Sequence, residues 1–427
     1  VYDLELTDLE ILRLASREEN IEWIANSQLS DTQKSLLVDH YANRHDESIK
    51  TQLEQLKQAR IDRCKLQDAV QEIMVMKEEP TRRESFVLNR GAYDNRGEPV
   101  RPGTPAALLA FPNAQPRNRL GLAQWLCDPK HPLTSRVAVN RIWQLCFGAG
   151  LVRTPEDFGS QGAPPTHPGL LDWLAVEFVE SGWDLKALIK QIVISETYRQ
   201  SSQHPEASVF EMDPTNQWLA RFPTYRLSAE MLRDNALAVS GRLVGKVGGP
   251  PVKPYELQAS FKPSKPDSGE GLYRRSLYTY WKRTSPAPAM MTLDAAKRDV
   301  CQVQRERTSS PLQAFVLLNG PQYVEAARGL AERVSKKYRK NPEPIDNSIR
   351  DAFRILTSRR VTDRELDVLK TLYEAQRTYF QSEPDRIDRF LQIGEAPVEE
   401  QADKPRLAAL TVVVGTLMNY DQSVMKR

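Results

Sequence analysis

The chain has 427 residues, of which 40% are hydrophobic and 27% are charged, so it can form one large domain or two to three domains of typical size. Its formal net charge is only +3, which argues against the strongly basic surface of a nucleic-acid-binding protein. No apolar run reaches the roughly 20 residues that a membrane-spanning helix needs. We therefore predict neither a nucleic-acid partner nor a transmembrane segment.

Four cysteines occur, and none of them belongs to a CxxC or CxxCH motif. The sequence therefore encodes neither a zinc ribbon nor a c-type haem attachment site, and we expect no metal and no cofactor within this chain. Cys127 and Cys146 each lie on the apolar side of a predicted helix, as two buried thiols or as a disulfide. The chain starts at Val1 without methionine or a signal peptide, so we expect it to be a piece of a longer protein.

The clearest shift in composition follows residue 79. Residues 1–79 contain no proline and no glycine, whereas all 29 prolines and 20 glycines come later. We predict a first domain over 1–79, a helical hairpin or strut that ends a preceding region, and one large helical domain over 80–427. Within the first domain, Ser30–Gln33 has a capping-box pattern, and apolar spacing predicts a helix over 47–76.

Beyond residue 80, short strands are predicted at 85–88 and 275–281, with a turn-rich arm at 89–108. Polar, breaker-rich stretches predict a mobile loop at 258–271 and a loop at 381–403. Apolar residues at helical spacing predict helices around 139–146, 170–179, 185–193 (with Asp184 as N-cap), 229–240, 311–338, 346–356, 362–380 and 405–418. The sequence thus predicts a mainly α fold: an irregular multi-helix domain with a small β element and an N-terminal helical hairpin.

A histidine near two carboxylates is the first candidate for chemistry. Thr166 can cap the next helix, which would place His167 in its first turn, and Asp157 and Asp172 are near in sequence. Such a group could ligate a metal or exchange protons, yet its spacing matches no known ligand motif. A packed histidine with a structural hydrogen bond is the alternative, and the same holds for His131.

Two polar sets lie at helical spacing. Arg136, Asn140, Arg141 and Trp143 share one predicted helix, and Arg226 precedes a second set formed by Glu230, Arg233 and Asp234. Sets of this kind usually join helices through buried hydrogen-bonded networks. The functional alternative is a pocket for an anion or a sugar, because arginine, asparagine and tryptophan suit hydroxyls, carboxylates and sulfate esters.

The segment 274–283 alternates basic and aromatic residues. On a strand, Arg274, Tyr278 and Tyr280 would share one face and could stack on bases or on sugar rings, and the low net charge favours sugars. A half-buried strand with cations reaching solvent is the alternative. Further on, Cys301 precedes Arg305 and Arg307, which could make its thiol reactive, although a small apolar residue beneath a loop explains it as well.

Six stretches jointly resemble one family, the C-terminal domains of unknown function in large secreted proteins of planctomycete type (planctomycete PSD-type domains). They are residues 75–105, 125–159 (including HPLTSRVAVNRIWQLCFGAGLVRTPEDFG), 165–202, 226–243 (RLSAEMLRDNALAVSGRL), 274–283 (RRSLYTYWKR) and 299–327. Two positions depart from the family pattern: His131 stands where Asn is usual, and Gly320 stands where Asp is usual.

In the proteins that this chain resembles, a cytochrome-c-like module usually precedes such a domain. The resemblance therefore implies an extracytoplasmic location, in the periplasm or at the cell surface, and haem c in an upstream region that these residues do not include. It implies a cytochrome-c-like partner, in the same polypeptide or in an associated protein. It supplies no reaction.

From these observations we expect a binding or scaffold module that holds a partner or a polymer, such as a polysaccharide, near a haem-bearing region. The alternative is an enzyme acting on polysaccharide or another cell-surface substrate. Its candidate catalytic residues are His167, Asp172, Glu230 and Asp234. The candidate ligand-binding residues are Arg136, Asn140, Arg141, Trp143, Arg226, Arg233, Arg274, Tyr278 and Tyr280.

Overall fold

A computed structural model describes residues 31, 34, 35, 38, 45–79, 81, 83–105, 107–254, 265–283, 285–338 and 345–426. The chain divides into two compact units, Val1–Arg101 and Pro102–Arg427. The predicted domain boundary after residue 79 falls inside the first unit and stays a prediction. The predicted capping box at 30–33, and most of the predicted N-terminal hairpin, lie outside the described residues.

The first unit includes helix α1 and a β-hairpin, and the described residues 31, 34, 35, 38 and 45, which precede α1, are helical as well. Helix α1 (Glu47–Asp68) begins where the Asp46 carboxylate accepts hydrogen bonds from the backbone N–H groups of Ser48 and Ile49. It ends earlier than the predicted limit at residue 76, and none of its residues is buried. The predicted strand at 85–88 is confirmed: β1 (Ser85–Leu88) pairs antiparallel with β2 (Arg96–Val100).

Nearly all regular secondary structure in the described part of the second unit is helical, as the sequence predicts. They are α2 (Arg119–Leu126), α3 (Thr134–Phe147), α4 (Pro168–Glu180), α5 (Leu185–Ile194), α6 (Glu196–Arg199), α7 (Ser208–Met212), α8 (Ala229–Val239), α9 (Pro288–Thr292), α10 (Pro311–Asn319), α11 (Pro321–Lys337), α12 (Ile345–Thr357), α13 (Asp363–Ser382), α14 (Pro384–Leu391), α15 (Lys404–Met418) and α16 (Asp421–Val424). The mainly α class is confirmed.

Two hydrophobic cores stabilise the second unit. The smaller core lies among α3, α4 and α5, where Val139, Leu174 and Leu188 are buried and Trp143 stacks on Phe147. The larger core involves α8 to α16. Its central helix is α15, whose residues 408–410, 413 and 414 are fully buried, and which packs against α11 and α13. A helix that is apolar on all sides belongs at such a position.

A second small sheet forms where the chain returns from the larger core. Strand β3 (Tyr225–Arg226) pairs antiparallel with β4 (Met425–Lys426), and the Leu227 N–H donates to the carbonyl of Val424. The candidate site described below lies at this sheet.

The structure corrects four local predictions. The segment 275–281 is no strand: it contains a 3-10 turn, Ser276–Tyr278, and isolated bridges form at Arg274 and Thr279 on either side of that turn. The predicted helix 311–338 is two helices, because Pro321 cannot donate a backbone hydrogen bond and starts α11 instead. Likewise Pro384 starts α14 inside the predicted loop 381–403. In the predicted loop 258–271, residues 255–264 lie outside the described part, and Gly269–Tyr273 forms a 3-10 turn.

All four cysteines are free; Cys146 is buried, whereas Cys127 and Cys301 are exposed. The prediction of a buried thiol is therefore wrong for Cys127, and so is the placement of Cys301 beneath a loop. Over the described ranges, every helix is too short or too polar to cross a membrane.

Candidate functional site

A cavity of about 430 Å³ opens where β3, the start of α8 and the segments 293–298 and 305–307 meet; we call it the arginine groove. Its charged lining consists of four arginines, Arg226, Arg298, Arg305 and Arg307, and four acids, Glu230, Asp234, Asp294 and Glu306. The remaining lining residues are Leu145, Tyr225, Leu227, Ser228, Met231, Leu277 and Leu293. Three residues predicted from the sequence, Arg226, Glu230 and Asp234, are thus brought together here.

Two of the groove's acids hold neighbouring segments in place. Glu230 lies in the first turn of α8, where its Oε2 accepts from Nη1 of Arg305 at 2.8 Å. The Oδ1 of Asp234 accepts from the backbone N–H and the hydroxyl of Ser276, at 2.8 and 2.7 Å. These carboxylates are therefore engaged inside the protein, and neither is a free base facing the cavity.

Asp294 fixes the segment between α9 and α10, which forms another part of the groove wall. Its backbone is left-handed, with φ of 63°, and its Oδ2 accepts from the Thr308 N–H at 2.7 Å and the Thr308 hydroxyl at 2.8 Å. The side chain of Gln313 adds a third donor at 3.0 Å. The carboxylate thereby joins the end of α9 to the start of α10.

Arg226 differs from these engaged groups. Its guanidinium makes no hydrogen bond to any residue that the structure describes; only the more distant charge of Asp294 interacts with it. Burial lowers the pKa of Arg226 below the ordinary arginine value, and Asp294 partly opposes that effect. A guanidinium carries five N–H donors, so partial burial without an acceptor leaves it able to bind a ligand oxygen.

Tyr225 and Arg307 form the adjoining wall. The Tyr225 hydroxyl donates to the carbonyls of Leu145 and Cys146 at the end of α3, at 3.2 and 2.9 Å. The Cζ of Arg307 lies 4.5 Å from the centre of the Tyr225 ring, and its Nη1 is 3.5 Å from the Gly148 carbonyl. Burial lowers the pKa of Arg307, and the positive charge of Arg305 adds to that effect. The nearby backbone turn requires glycine, because a Cβ on Gly148 would lie 2.6 Å from the Tyr225 ring.

Behind Tyr225, Lys426 on β4 occupies an aromatic cage. Its Nζ donates to the Tyr198 hydroxyl and lies 4.7, 5.7 and 5.8 Å from the ring centres of Tyr198, Phe222 and Tyr225. Burial opposes the charge of Lys426, but the hydrogen bond to Tyr198 and the nearby Tyr225 raise its pKa overall. Burial likewise raises the pKa of Tyr225. The lysine thus supports the wall of the groove from behind.

Arg233 and Arg274, both predicted as ligand-binding candidates, are structural. Arg233 is 1% exposed and donates to the carbonyls of Leu272 and Arg274 at 2.6 and 2.8 Å and to Gln322 at 2.9 Å. The guanidinium of Arg274 donates to three carbonyls in the 246–250 turn, at 2.5–3.1 Å. These arginines hold irregular backbone that has no sheet or helix partners.

The predicted stacking face at 274–283 does not form. Tyr278 lies against Arg274, with 3.8 Å between its ring centre and the guanidinium carbon, and its hydroxyl accepts from the Gly248 N–H. Tyr280 packs on the larger core with Lys253 above its ring. Both rings are engaged within the protein, so neither offers a free face for a sugar.

The polar set on α3 joins helices. The Nε of Arg136 donates to Asp172 on α4 at 2.7 Å. Asn140 is fully buried and exchanges two hydrogen bonds with the backbone of Val152. Trp143 belongs to the smaller core, and Arg141 is exposed.

His167 does not form a reactive group with Asp157 or Asp172, and His131 is structural. His167 is the N-cap residue of α4, and its Nδ1 contacts the Thr166 hydroxyl at 3.0 Å. The prediction that Thr166 caps this helix is wrong, because its hydroxyl donates to the Leu151 carbonyl. Asp157 accepts from the Gly159 N–H within its own loop. The Nδ1 of His131 accepts from Leu133 and Thr134 at the start of α3.

Sequence reasoning missed several residues of the site. Tyr225, Asp294, Arg298 and Lys426 were not candidates, and Arg305 and Arg307 were considered only as neighbours of Cys301. No spacing rule joins these residues, because they come from four separate segments. The one available signal is local: Arg226 precedes the Ser228 N-cap and would stand at the entrance of α8.

The sequence profile of one family, described as PSD1, protein of unknown function (DUF1553), matches residues 118–373, which is more than half of the chain. The chain belongs to the PSD1 family. The matched range contains every residue that lines the arginine groove. No curated protein and no solved structure matches the chain.

The described acids of this PSD1 chain are not arranged as a metal site. Within the part of the chain that the structure describes, no three His, Cys, Asp or Glu side chains group closely enough to hold a metal ion. The arrangement in the groove is instead one of cations held near engaged acids. It can accept ligand oxygens through guanidinium N–H groups, and its leucines and Met231 can contact an apolar or ring surface.

Proposed function

We propose that this chain is a binding module and that its arginine groove binds a polymer, specifically a polysaccharide. The observation that carries the proposal is Arg226: a partly buried guanidinium without an internal hydrogen-bond acceptor among the described residues, at the edge of a concave cavity. Tyr225, Arg307 and the apolar lining extend this surface to the size of a sugar unit or a short side chain.

Binding is favoured over catalysis because the candidate acids are already engaged. Asp172 pairs with Arg136, Glu230 pairs with Arg305, and Asp234 accepts from Ser276. A general acid or base must reach the proton that it transfers, and a hydrolase of glycosides needs two such carboxyl groups facing one bond. These acids instead resemble a network that fixes helices and loops around the cavity.

The remaining parts of the proposal come from the resemblance described above. We place the module outside the cytoplasm, next to a cytochrome-c-like region of the same polypeptide or of an associated protein. On this proposal the groove keeps a polymer or partner close to a haem group that lies outside these residues. A haem absorbance spectrum of the native, full-length polypeptide tests the covalent form of this linkage, and co-purification of a haem-bearing protein tests the other form. Absence of haem bands in both the polypeptide and its co-purified partners would contradict the proposal.

The binding role is tested by titrating the chain with polysaccharides and by assaying the same mixtures for new reducing ends. We expect saturable binding without cleavage. Leu277→Trp should block it by filling the groove without changing its charge, because Leu277 lines the groove with a 74% exposed side chain that a larger residue can replace without unfolding the core. Val176→Trp, on the exposed face of α4, is the matched control and should bind normally.

Two outcomes would overturn the binding role. Failure of every polysaccharide to bind would remove it directly. Release of reducing ends that is lost in the Glu230→Gln, Asp234→Asn double variant would favour the alternative, an enzyme acting on polysaccharide.

A further inference from the structure

The groove is lined by equal numbers of arginines and acids, but most of the acids are already hydrogen-bonded within the protein. Glu230, Asp234 and Asp294 each accept hydrogen bonds from a neighbouring segment. Arg305 is paired with Glu230, and the guanidinium of Arg298 lies 4.9 Å from the Trp281 ring centre. Arg298 is exposed and has open donors as well, whereas Arg226 and Arg307 are the two arginines of the groove that burial affects and that have no carboxylate hydrogen bond among the described residues.

Neither of these arginines has a carboxylate hydrogen-bond partner: Arg226 is half-buried, and Arg307 is solvent-exposed with its guanidinium against the Tyr225 ring. Arg226 has no hydrogen-bond acceptor within the described ranges, and Arg307 has one carbonyl at 3.5 Å, a long contact. Arg305 stands close enough to Arg307 for their like charges to oppose each other. An anion entering the groove would relieve both effects, because it supplies acceptors and opposite charge together.

We propose that Arg226 and Arg307 form a subsite for one oxyanion of the bound polymer, a carboxylate, sulfate or phosphate group. The planar fork of a guanidinium matches the paired oxygens of these groups, whereas an uncharged sugar hydroxyl uses only part of it. The Tyr225 ring holds Arg307 in position from below. This inference rests on the proposed binding role and narrows it to acidic polymers.

Glu306 provides an internal check on this assignment. It lines the same groove, its side chain is exposed, and it is an acid without a hydrogen bond in the described part of the chain. An acid at this place opposes the approach of an anion. Glu306→Gln should therefore strengthen binding of an acidic polymer, an effect that damage to the fold would not produce.

The experiment compares three probes of similar length: neutral dextran, dextran sulfate and an oligoglucuronate. With the charged probes, Arg226→Gln and Arg307→Gln should each weaken binding about tenfold, as expected for the loss of one charge-assisted hydrogen-bonding group. Glu306→Gln should tighten binding roughly twofold or more. Arg377→Gln, an exposed arginine on α13, is the control and should change affinity less than about twofold.

The possible results separate this inference from the proposed function. Tighter binding of either charged probe, with the stated losses, supports the subsite, and the better probe identifies the type of oxyanion. If Arg226→Gln and Arg307→Gln act no more strongly than Arg377→Gln, the subsite is wrong, while saturable dextran binding would leave the binding role intact. If none of the three probes binds, both proposals fall.

Discussion

Arg233 illustrates what most of the arginines in this chain do. It extends from α8 into irregular backbone around residues 272–276, where the carbonyls of Leu272 and Arg274 have no helix or strand to supply a donor. The cost of burying such carbonyls unpaired exceeds the cost of burying one well-bonded guanidinium. The same reasoning applies to Arg274 above the 246–250 turn.

Replacement of Arg233 should therefore strongly destabilise the folded protein. We expect Arg233→Ala to lower the free energy of unfolding by about 3–5 kcal/mol, because it leaves buried carbonyls without donors. Urea unfolding followed by circular dichroism measures the change. The control is Arg275→Ala, an exposed neighbour, for which we expect less than about 0.5 kcal/mol. Equal losses in the two variants would show that the network around Arg233 contributes little.

At the scale of single elements, the start of α13 is the best-defined feature. Thr362 and Glu365 form a capping box in which each side chain bonds the other's backbone N–H. Arg359 adds a bidentate ion pair with Glu365, and the Tyr420 hydroxyl donates to the same carboxylate at 3.2 Å. The bond to Arg359, first among several, lowers the pKa of Glu365 from 4.5 to about 2.

This lowered pKa predicts the pH range in which the cap stabilises the protein. Because the folded-state pKa of Glu365 is depressed, its contribution is present above about pH 4.5 and is lost as the pH falls towards 2. Glu365→Gln should cost about 1–2 kcal/mol at pH 7, a value discounted for partial exposure. We expect the difference from wild type in urea unfolding to shrink between pH 4.5 and pH 2.

The matched control for this pH series is Glu374→Gln. Glu374 forms an exposed ion pair with Arg377 on the same helix, at 3.7 Å, and its loss should change stability little at any of these pH values. A Glu365→Gln difference that stays constant down to pH 2 would contradict the assigned role of the carboxylate.

The elements that were predicted correctly are those whose signal is local. Asp184 caps α5 as its sequence position indicates, and the apolar spacing of α4 matches its buried face. In α8 the predicted stripe is buried except for Met231, and the continuous apolar run of α15 is buried on nearly all sides. The strand prediction for 275–281 is wrong because the alternation of basic and aromatic residues there reflects separate contacts with distant backbone, made by Arg274, Tyr278 and Trp281. Periodicity cannot separate that arrangement from a strand.

At the scale of the whole molecule, only part of the site is predictable from the sequence, because local patterns cannot group residues from distant segments. Arg226, Glu230 and Asp234 were recognised because they lie close together in sequence. Arg305, Arg307 and Lys426 come from distant segments, and only the packing of the second unit brings them to β3. Helical spacing predicts, as one alternative, that most polar residues join segments inside the protein. It cannot predict which arginine keeps hydrogen-bond donors available for a ligand.

The two cores of the second unit predict how it unfolds. Strands β3 and β4 join the end of the smaller core to the larger one, so we expect both cores to unfold in one transition. Leu174→Ala in the smaller core and Leu410→Ala in the larger one should each cost about 2–5 kcal/mol and shift the same calorimetric peak. Val176→Ala, exposed on α4, is the control. Two separate peaks in either core variant would show that the cores unfold independently.

The lysine held by Tyr198, Phe222 and Tyr225 has a consequence for selectivity. Aromatic boxes of this kind elsewhere recruit quaternary ammonium compounds such as choline or methylated lysine. In this protein the box is already filled by an amine of its own chain, hydrogen-bonded to Tyr198. A free ammonium compound would have to displace Lys426, which the chain itself holds in place. The three rings therefore stabilise the fold around β3 and β4, and we expect this cage not to bind cationic ligands.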